Sequence, residues 1–245
     1  MARNVRVLGV IPARLNSTRL PRKVLRPICG KPMVQHVYER ARCCEKFDDL
    51  VVATDSTEVQ EACRRAGIPA EMTSPQHPSG TDRIFEVLSR RDAEIVVNIQ
   101  GDEPLLEPAH LEALLLPFEA EPATQVSTLR VPISADEAKN PNAVKVVCDG
   151  RGNALYFSRW PIPYDRDGSG AVAYFKHLGF YAYRRPAVEL FHILSPSKLE
   201  LAERLEQLRF LENGIDIYVE ETQYDTVGVD TEEDLRRVEG IIRNG

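Results

Sequence analysis

Much of what this chain lacks is informative. It has five cysteines, an odd number, and none stand in a C-x-x-C spacing. That excludes a disulfide framework and a zinc knuckle and fits a reducing cytosol. No segment approaches the ~18 apolar residues needed to cross a bilayer. The opening apolar run is cut short by Pro12 and Arg14, so it does not read as a signal peptide. No G-x-x-x-x-G-K-[ST] occurs, which excludes a Walker-type kinase or ATPase loop. A net charge of −6 argues against a general nucleic-acid binder. There is no internal repeat, low-complexity tract or obvious linker. A cytoplasmic protein with one integrated domain over 1–245 is expected, carrying a β-rich insertion at approximately 124–184.

Charge is unevenly placed. Residues 1–42 hold ten Lys/Arg against the single acid Glu39, of 31 basic and 37 acidic residues in the whole chain. A local cationic cluster on an acidic protein suits a small polyanion. Four of the ten lie in Ile11-Pro-Ala-Arg-Leu-Asn-Ser-Thr-Arg-Leu-Pro-Arg-Lys23, the loop leaving a predicted first strand, Val5–Ile11. Arg14, Arg19 and Lys23, with the hydroxyls of Ser17 and Thr18, supply planar and point-charge donors for phosphates.

Apolar runs alternate with helical patterns. Strands are expected at Leu50–Thr54 and Ile95–Ile99, and helices at Met33–Cys43, Thr57–Ala66, Gly80–Arg90 and Pro108–Phe118. This βαβ rhythm predicts an α/β, doubly wound sheet, in which ligands bind at strand carboxyl ends. Arg14, Asp55 and Asp102 fall just after such ends. The middle changes character, with short β pieces at Gln125–Ile133, Ala143–Val147, Ala154–Phe157 and Phe175–Tyr183. Ser197 with Glu200 reads as a capping box opening a helix striped by Leu201, Leu205 and Leu208. A late strand is expected at Ile215–Val219, then a capped terminal helix, Thr231–Ile242, with Leu235, Val238 and Ile242 inward.

Two carboxylates stand out, Asp102 after a buried strand and Asp230 before the last helix. Magnesium takes hard oxygen ligands and keeps several waters, so one or two carboxylates plus phosphate oxygens suffice. A cationic loop with two such aspartates points to chemistry on a nucleoside triphosphate.

The ordered motifs Ile11-Pro-Ala-Arg14, Ser17-Thr-Arg-Leu-Pro21, Gly30-Lys-Pro-Met33, Val52-Ala-Thr-Asp55, Ser79-Gly-Thr-Asp-Arg83, Gln100-Gly-Asp-Glu-Pro104, Asn140-Pro-Asn-Ala-Val-Lys145, Ala154-Leu-Tyr-Phe-Ser-Arg159, Lys176-His-Leu-Gly179, Leu205-Glu-Gln-Leu-Arg209 and Gly228-Val-Asp-Thr231 carry a resemblance. From Val7 to Val238 the chain resembles the 3-deoxy-manno-octulosonate cytidylyltransferases, the CMP-Kdo synthetases of lipopolysaccharide biosynthesis. The resemblance implies a Rossmann-like nucleotidyltransferase fold with a mixed, mainly parallel sheet and a smaller β-rich lobe for sugar binding and dimerisation. It implies transfer of CMP from CTP to Kdo with release of pyrophosphate, aided by Mg2+ on Asp102 and Asp230, in a homodimer.

By the same resemblance, Arg14, Arg19 and Lys23 hold the triphosphate. Pro12, Ala13, Ser79 and Arg83 form the cytosine pocket, with Gln100 beside the aspartates. Arg159, His177, Tyr181, Glu206 and Gln207 fall on sugar-side motifs. Read without the resemblance, His177 is as well a structural histidine, Arg159 a surface ion pair, and Glu206 and Gln207 a solvated helix face. Relatives acting on 8-amino-Kdo or N-acetylneuraminate, or a non-catalytic nucleotide-sugar sensor, are the alternatives. Glu103 and Gly228-Val-Asp230 favour ordinary Kdo, and an intact Lys23, Asp102 and Asp230 speak against a sensor. The chain departs from the family at Pro21-Arg-Lys-Val24, where Pro-Gly-Lys-Pro is usual. Arg22 in place of Gly predicts a changed approach of backbone to phosphate, or a loop without positive φ.

Overall fold

The computed structural model describes residues 6–17, 19–77, 79–168 and 170–244; Val5 and Thr18, singled out above, lie outside them. The chain forms two compact units, one of residues up to Glu112 together with Thr226 onward, the other of Ala113–Asp225.

The first unit is built on β1 (Val7–Pro12). A 3-10 turn, Lys23–Leu25, and the small hairpin β2 (Pro27–Ile28) and β3 (Lys31–Pro32) lead into α1 (Met33–Ala41). Then follow β4 (Asp49–Thr54), α2 (Thr57–Arg65), β5 (Ala70–Met72), α3 (Gly80–Leu88), β6 (Ile95–Asn98) and α4 (Pro108–Ala120), which carries the chain into the second unit. β1 lies between β4 and β6, parallel to both, and β4 pairs in parallel with β5. The strands are continuous apolar runs because both faces are covered; Val10, Ile11, Val51, Val52, Val96 and Val97 are all fully buried. The helices start where capping chemistry places them. Ser56 accepts from the N–H groups of Glu58 and Val59, and Ser79 from that of Asp82. The final helix, Glu232–Asn244, opens at Thr231, whose Oγ1 accepts from the Asp234 N–H. It packs Leu235 and Val238, with Ile242 at the margin, against Leu20, Ile28, Met33 and Val229. That cluster ties the cationic loop to the chain's C-terminal segment.

The second unit holds β7 (Val126–Ile133), the short α5 (Ala135–Ala138), β8 (Lys145–Cys148), β9 (Ala154–Ser158), β10 (Tyr174–Arg184), α6 (Arg185–Ile193), α7 (Lys198–Glu203), α8 (Leu208–Glu212) and β11 (Ile217–Glu221). β10 runs antiparallel to β7 and β8, β8 antiparallel to β9, and β11 parallel to β7. The fold is thus α/β with flanking helices, wholly parallel strand pairing along β6-β1-β4-β5, and mixed pairing in a β-rich part, as the sequence predicts.

One helix differs. The pattern from Ser197 predicts a single stripe of Leu201, Leu205 and Leu208. Instead α7 stops at Glu203, with Arg204 left-handed at φ 57°, and the chain restarts as α8. Leu205 and Leu208 are buried, whereas Leu201 is exposed. The capping expectation survives in the Ser197 N–H, which donates to Glu200 at 2.9 Å. Glu200 is also gripped by Arg209 from α8, at 2.8 Å through Nε. That buried ion pair holds the two short helices together, so a straight helix is not needed to satisfy either charge.

Candidate functional site

The residues expected to handle the nucleotide all lie in the first unit. β1 ends at Pro12, and the Ala13 N–H donates to the Ala53 carbonyl at 2.8 Å, fixing where the cationic loop departs. Beside it passes the loop after β6. A Cβ on Gly101 would sit 2.6 Å from the Pro12 carbonyl oxygen, so only glycine permits this approach. Asp102 is thereby seated next to the end of β1.

Asp230 arrives from the other end of the sequence. The Val229 N–H donates to the Asp102 carbonyl at 2.9 Å, and Thr226 Oγ1 donates to Glu103 Oε2 at 2.8 Å. Gly228 fits over Glu103, whose Oε1 would lie 3.0 Å from an added Cβ. These contacts make the two aspartates neighbours. Between them sits Lys23, donating to Asp102 Oδ2 at 2.5 Å and to Asp230 Oδ1 at 2.9 Å. Arg19 adds an ion pair to the second oxygen of Asp230 at 2.9 Å. Burial works against the Lys23 charge, but the two carboxylates outweigh it and hold the ammonium above its ordinary range. The carboxylate oxygens converge on a single cation position, held by Lys23 Nζ, and carboxylate oxygens are the hard donors that magnesium takes. Among the described residues no group of three or more His, Cys, Asp or Glu side chains stands ready for a metal. Further ligands would therefore come from the substrate.

Arg22 keeps φ 59°, so a loop without positive φ is not the solution adopted. The left-handed residue sits directly before Lys23 as N-cap of the 3-10 turn, and its guanidinium pairs with Glu58 of α2. The Arg14 side chain is exposed.

Ser79 and Arg83 have definite tasks in this structure. Ser79 Oγ donates to Asp82 Oδ2 at 2.7 Å and caps α3. Arg83 is fully buried, donating to Asp55 Oδ2 at 3.0 Å and to Thr73 Oγ1. Burial, with Arg14 nearby, lowers its pKa, while Asp55 offsets part of the cost. Among the described residues its buried Nε has no hydrogen-bond partner. Thr73 had no signal in the linear pattern; Asp55 did, as a carboxylate after a strand.

The sugar-side residues all lie in the second unit and are mostly neutral hydrogen-bonding groups. His177 on β10 contacts Thr128 Oγ1 through Nε2 at 3.0 Å and lies edge-on to Phe157, ring centroids 5.0 Å apart. Burial pushes its imidazole down to about 3, so it is a neutral ring at physiological pH. Tyr181 lies 5.3 Å from that ring and stacks on Tyr183. Burial, then the neighbouring Tyr183, raises its phenol well above the ordinary range, which keeps the proton on. Glu206 is exposed and adds to the same electrostatic push on Tyr181. Gln207 is buried rather than on a solvated helix face, and its amide nitrogen has no partner among the described residues. An orphaned buried donor costs about 1–3 kcal/mol unless a ligand accepts from it.

Arg159 is not in a surface ion pair. Its guanidinium donates to the carbonyls of Glu203 (2.8 Å), Pro141 (3.1 Å) and Arg204 (3.4 Å). Lys145, left unassigned by the sequence, supports it from beneath. Its fully buried ammonium donates to the carbonyls of Arg159 (2.6 Å) and Asn140 (2.9 Å). Burial and then Arg159 lower its pKa. The Asn140–Lys145 motif was the signal for it, but spacing alone could not say which way the lysine pointed.

A parallel α/β core with a cationic loop poised over paired carboxylates defines a nucleotidyltransferase. A cytidylyltransferase family model matches residues 8–217. The 3-deoxy-manno-octulosonate cytidylyltransferase of Acidobacterium capsulatum is 59% identical over 98% of this chain and 97% of its own. That of Koribacter versatilis is 56% identical, over 98% and 91%. A solved structure of CMP:2-keto-3-deoxy-manno-octonic acid synthetase complexed with CTP superposes with a TM-score of 0.94 at 46% identity, covering 98% of this chain and 99% of that one. The chain belongs to the 3-deoxy-manno-octulosonate cytidylyltransferase family.

Proposed function

We propose that the protein transfers CMP from CTP to Kdo, giving CMP-Kdo and pyrophosphate for lipopolysaccharide biosynthesis. The observation that carries this reading is the Lys23–Asp102–Asp230 cluster at the end of β1, in a chain so close to relatives bearing that name. In the reaction a bond forms between the sugar's anomeric oxygen and the α-phosphorus of CTP. The bond from that phosphorus to the bridging oxygen of the β-phosphate breaks, its electron pair leaving on pyrophosphate, and the hydroxyl proton passes to solvent water. Arg14, Arg19 and Lys23 bind the β- and γ-phosphates and neutralise the leaving pyrophosphate. Asp102 and Asp230 would hold Mg2+, which when bound neutralises phosphate charge and acidifies a nearby hydroxyl. Pro12, Ala13, Ser79 and Arg83 line the cytosine side, and the buried Nε of Arg83 suits a carbonyl acceptor on the base.

On the sugar side, Arg159 offers the positive charge for the carboxylate of Kdo. Neutral His177, protonated Tyr181, Glu206 and the free amide of Gln207 read its hydroxyls. A site built to hydrogen-bond hydroxyls rejects analogues that lack them, because its buried polar groups are then unpaired.

Two copies pair through the second unit in this reading. It exposes Leu155, Trp160 and Tyr164 at 63%, 76% and 82% of their full areas, close together in sequence. Sedimentation of wild type against Trp160→Glu should show a dimer giving way to monomer. Among the described residues no helix is long and apolar enough to cross a membrane, which is in keeping with a cytoplasmic enzyme.

The test is pyrophosphate release with Mg2+, CTP and a panel of Kdo, 8-amino-Kdo and N-acetylneuraminate. Release with Kdo alone is expected. Release with another sugar acid would move the specificity, and none at all from protein that binds CTP would favour a sensor.

A further inference from the structure

Lys23 and Arg19 are the cations assigned to the triphosphate, and Asp102 and Asp230 the carboxylates assigned to the metal. In the structure these two sets are spent on each other. Lys23 Nζ stands at the point where both carboxylates converge, 2.5 Å and 2.9 Å from their oxygens. Its side chain is only 14% exposed, against 31% and 41% for the two carboxylates, so the ammonium end of the pairing is the part shielded from solvent. Arg19 takes the remaining side of Asp230 at 2.9 Å. A divalent ion entering alone must evict a well-held ammonium. A triphosphate entering alone must pull the ammonium away and leave two carboxylates facing each other without a counter-charge. Each binding event by itself uncovers a like-charge cluster; together they exchange partners and leave none.

We propose that the Lys23 ammonium is a placeholder cation that shuts the Asp102–Asp230 pair to metal until a triphosphate draws it off, so that metal and nucleotide bind as a unit. This rests on the metal and triphosphate roles given under Proposed function. The open carboxylate pair is a minor state of the free protein, and metal affinity is reduced by the fraction of time it is open. Because coupling is reciprocal, nucleotide affinity rises with metal by the same factor. The exchange guards against a metal ion resting at the site with no substrate to act on.

The probe is Mn2+ binding to nucleotide-free protein, read by loss of the free-ion electron-spin resonance signal. Lys23→Met should bind Mn2+ roughly tenfold or more tighter than wild type, since a positive charge a few ångström away has been removed. Lys23→Arg, which keeps the charge, should stay near wild type. Adding Asp102→Asn to Lys23→Met should abolish the gain. Should Lys23→Met fold poorly in a thermal melt, Arg19→Ala on an exposed arm serves instead, with a smaller gain of about two- to fivefold. Wild type that binds Mn2+ as tightly as Lys23→Met, or a Lys23→Arg protein that binds like Lys23→Met, would overturn the placeholder role. Pyrophosphate release by the same wild-type preparation reports separately on the proposed function. Release without any difference in Mn2+ binding rejects the placeholder alone. A difference in Mn2+ binding without release rejects the reaction assignment and keeps the lysine's hold on the pair.

Discussion

On the roles proposed above, the two units meet their substrates in different ways. In the first, the working groups are charges on loops: Arg14, Arg19 and Lys23 against Asp102 and Asp230. Arg14 is exposed, and the side chains of Arg19 and Asp230 are 61% and 41% exposed. In the second, apart from Arg159 and Glu206, they are neutral hydrogen-bonding side chains set in aromatic packing: His177 against Phe157 and Tyr181, and Gln207 buried between short helices. A triphosphate carries charge that can be met at a distance by mobile cations. A polyhydroxylated sugar is distinguished only by donors and acceptors fixed to within a fraction of an ångström, which demands burial and packing. If those roles hold, charge supplies attraction and turnover on one side, while buried polar groups supply discrimination on the other.

Mutation can sharpen or break this contrast. The largest effect is expected from Asp102→Asn. Turnover should fall roughly 100-fold or more, as for loss of a charge-stabilising group at a reacting centre, with the thermal melt little changed. Near-normal pyrophosphate release would remove Asp102 from the chemistry. Next comes the sugar side. Arg159→Ala should raise KM for Kdo about tenfold or more, a charged hydrogen bond being worth ~1.5–3 kcal/mol. Gln207→Ala should raise it about three- to tenfold for a neutral one. In both, CTP affinity by calorimetry should stay near wild type; an equal loss for both substrates would break the division of labour.

His177 provides a pH test. Its folded-state pKa is depressed to about 3 from 6.5, so the unfolded chain binds the extra proton first as pH falls. Stability is therefore full above pH 6.5 and declines between there and about 3, by roughly 1 kcal/mol per pH unit. His177→Gln should remove that part of the slope in urea titrations at pH 7 and 5.5; an unchanged slope would place the imidazole in water. The smallest effect is expected at Arg22. Arg22→Gly relieves a left-handed residue but loses an exposed ion pair to Glu58. A net gain of about 0.5 kcal/mol is expected by chemical denaturation; a loss would mean that the Glu58 pairing anchors the loop.

Much of the fold was legible because its signals are local. The helix from Met33 buries Val34, Val37, Tyr38 and Ala41 on the face its period predicts, and Thr231 caps the final helix as expected. Where the reading failed, a distant contact had overruled the period: the helix begun at Ser197 breaks at Arg204 because Glu200 is claimed by Arg209 of the next element. Arg159 looked like a surface charge until the carbonyls of Pro141, Glu203 and Arg204 closed around it.

By itself the sequence determined the strand and helix order, the cationic character of the first loop, the residue types at each motif and the family they belong to. Each of these is written within a few neighbouring residues, as periodicity, capping or motif spacing. Tertiary structure alone decided that Lys23 meets partners 79 and 207 positions away, and that those partners share one cation between them. It also decided that Gln207 turns inward with a donor to spare. Such facts depend on which surfaces pack together: Gly101 against Pro12, Gly228 against Glu103, the final helix against Leu20 and Met33. Packing is a property of the whole fold and leaves no local pattern to read.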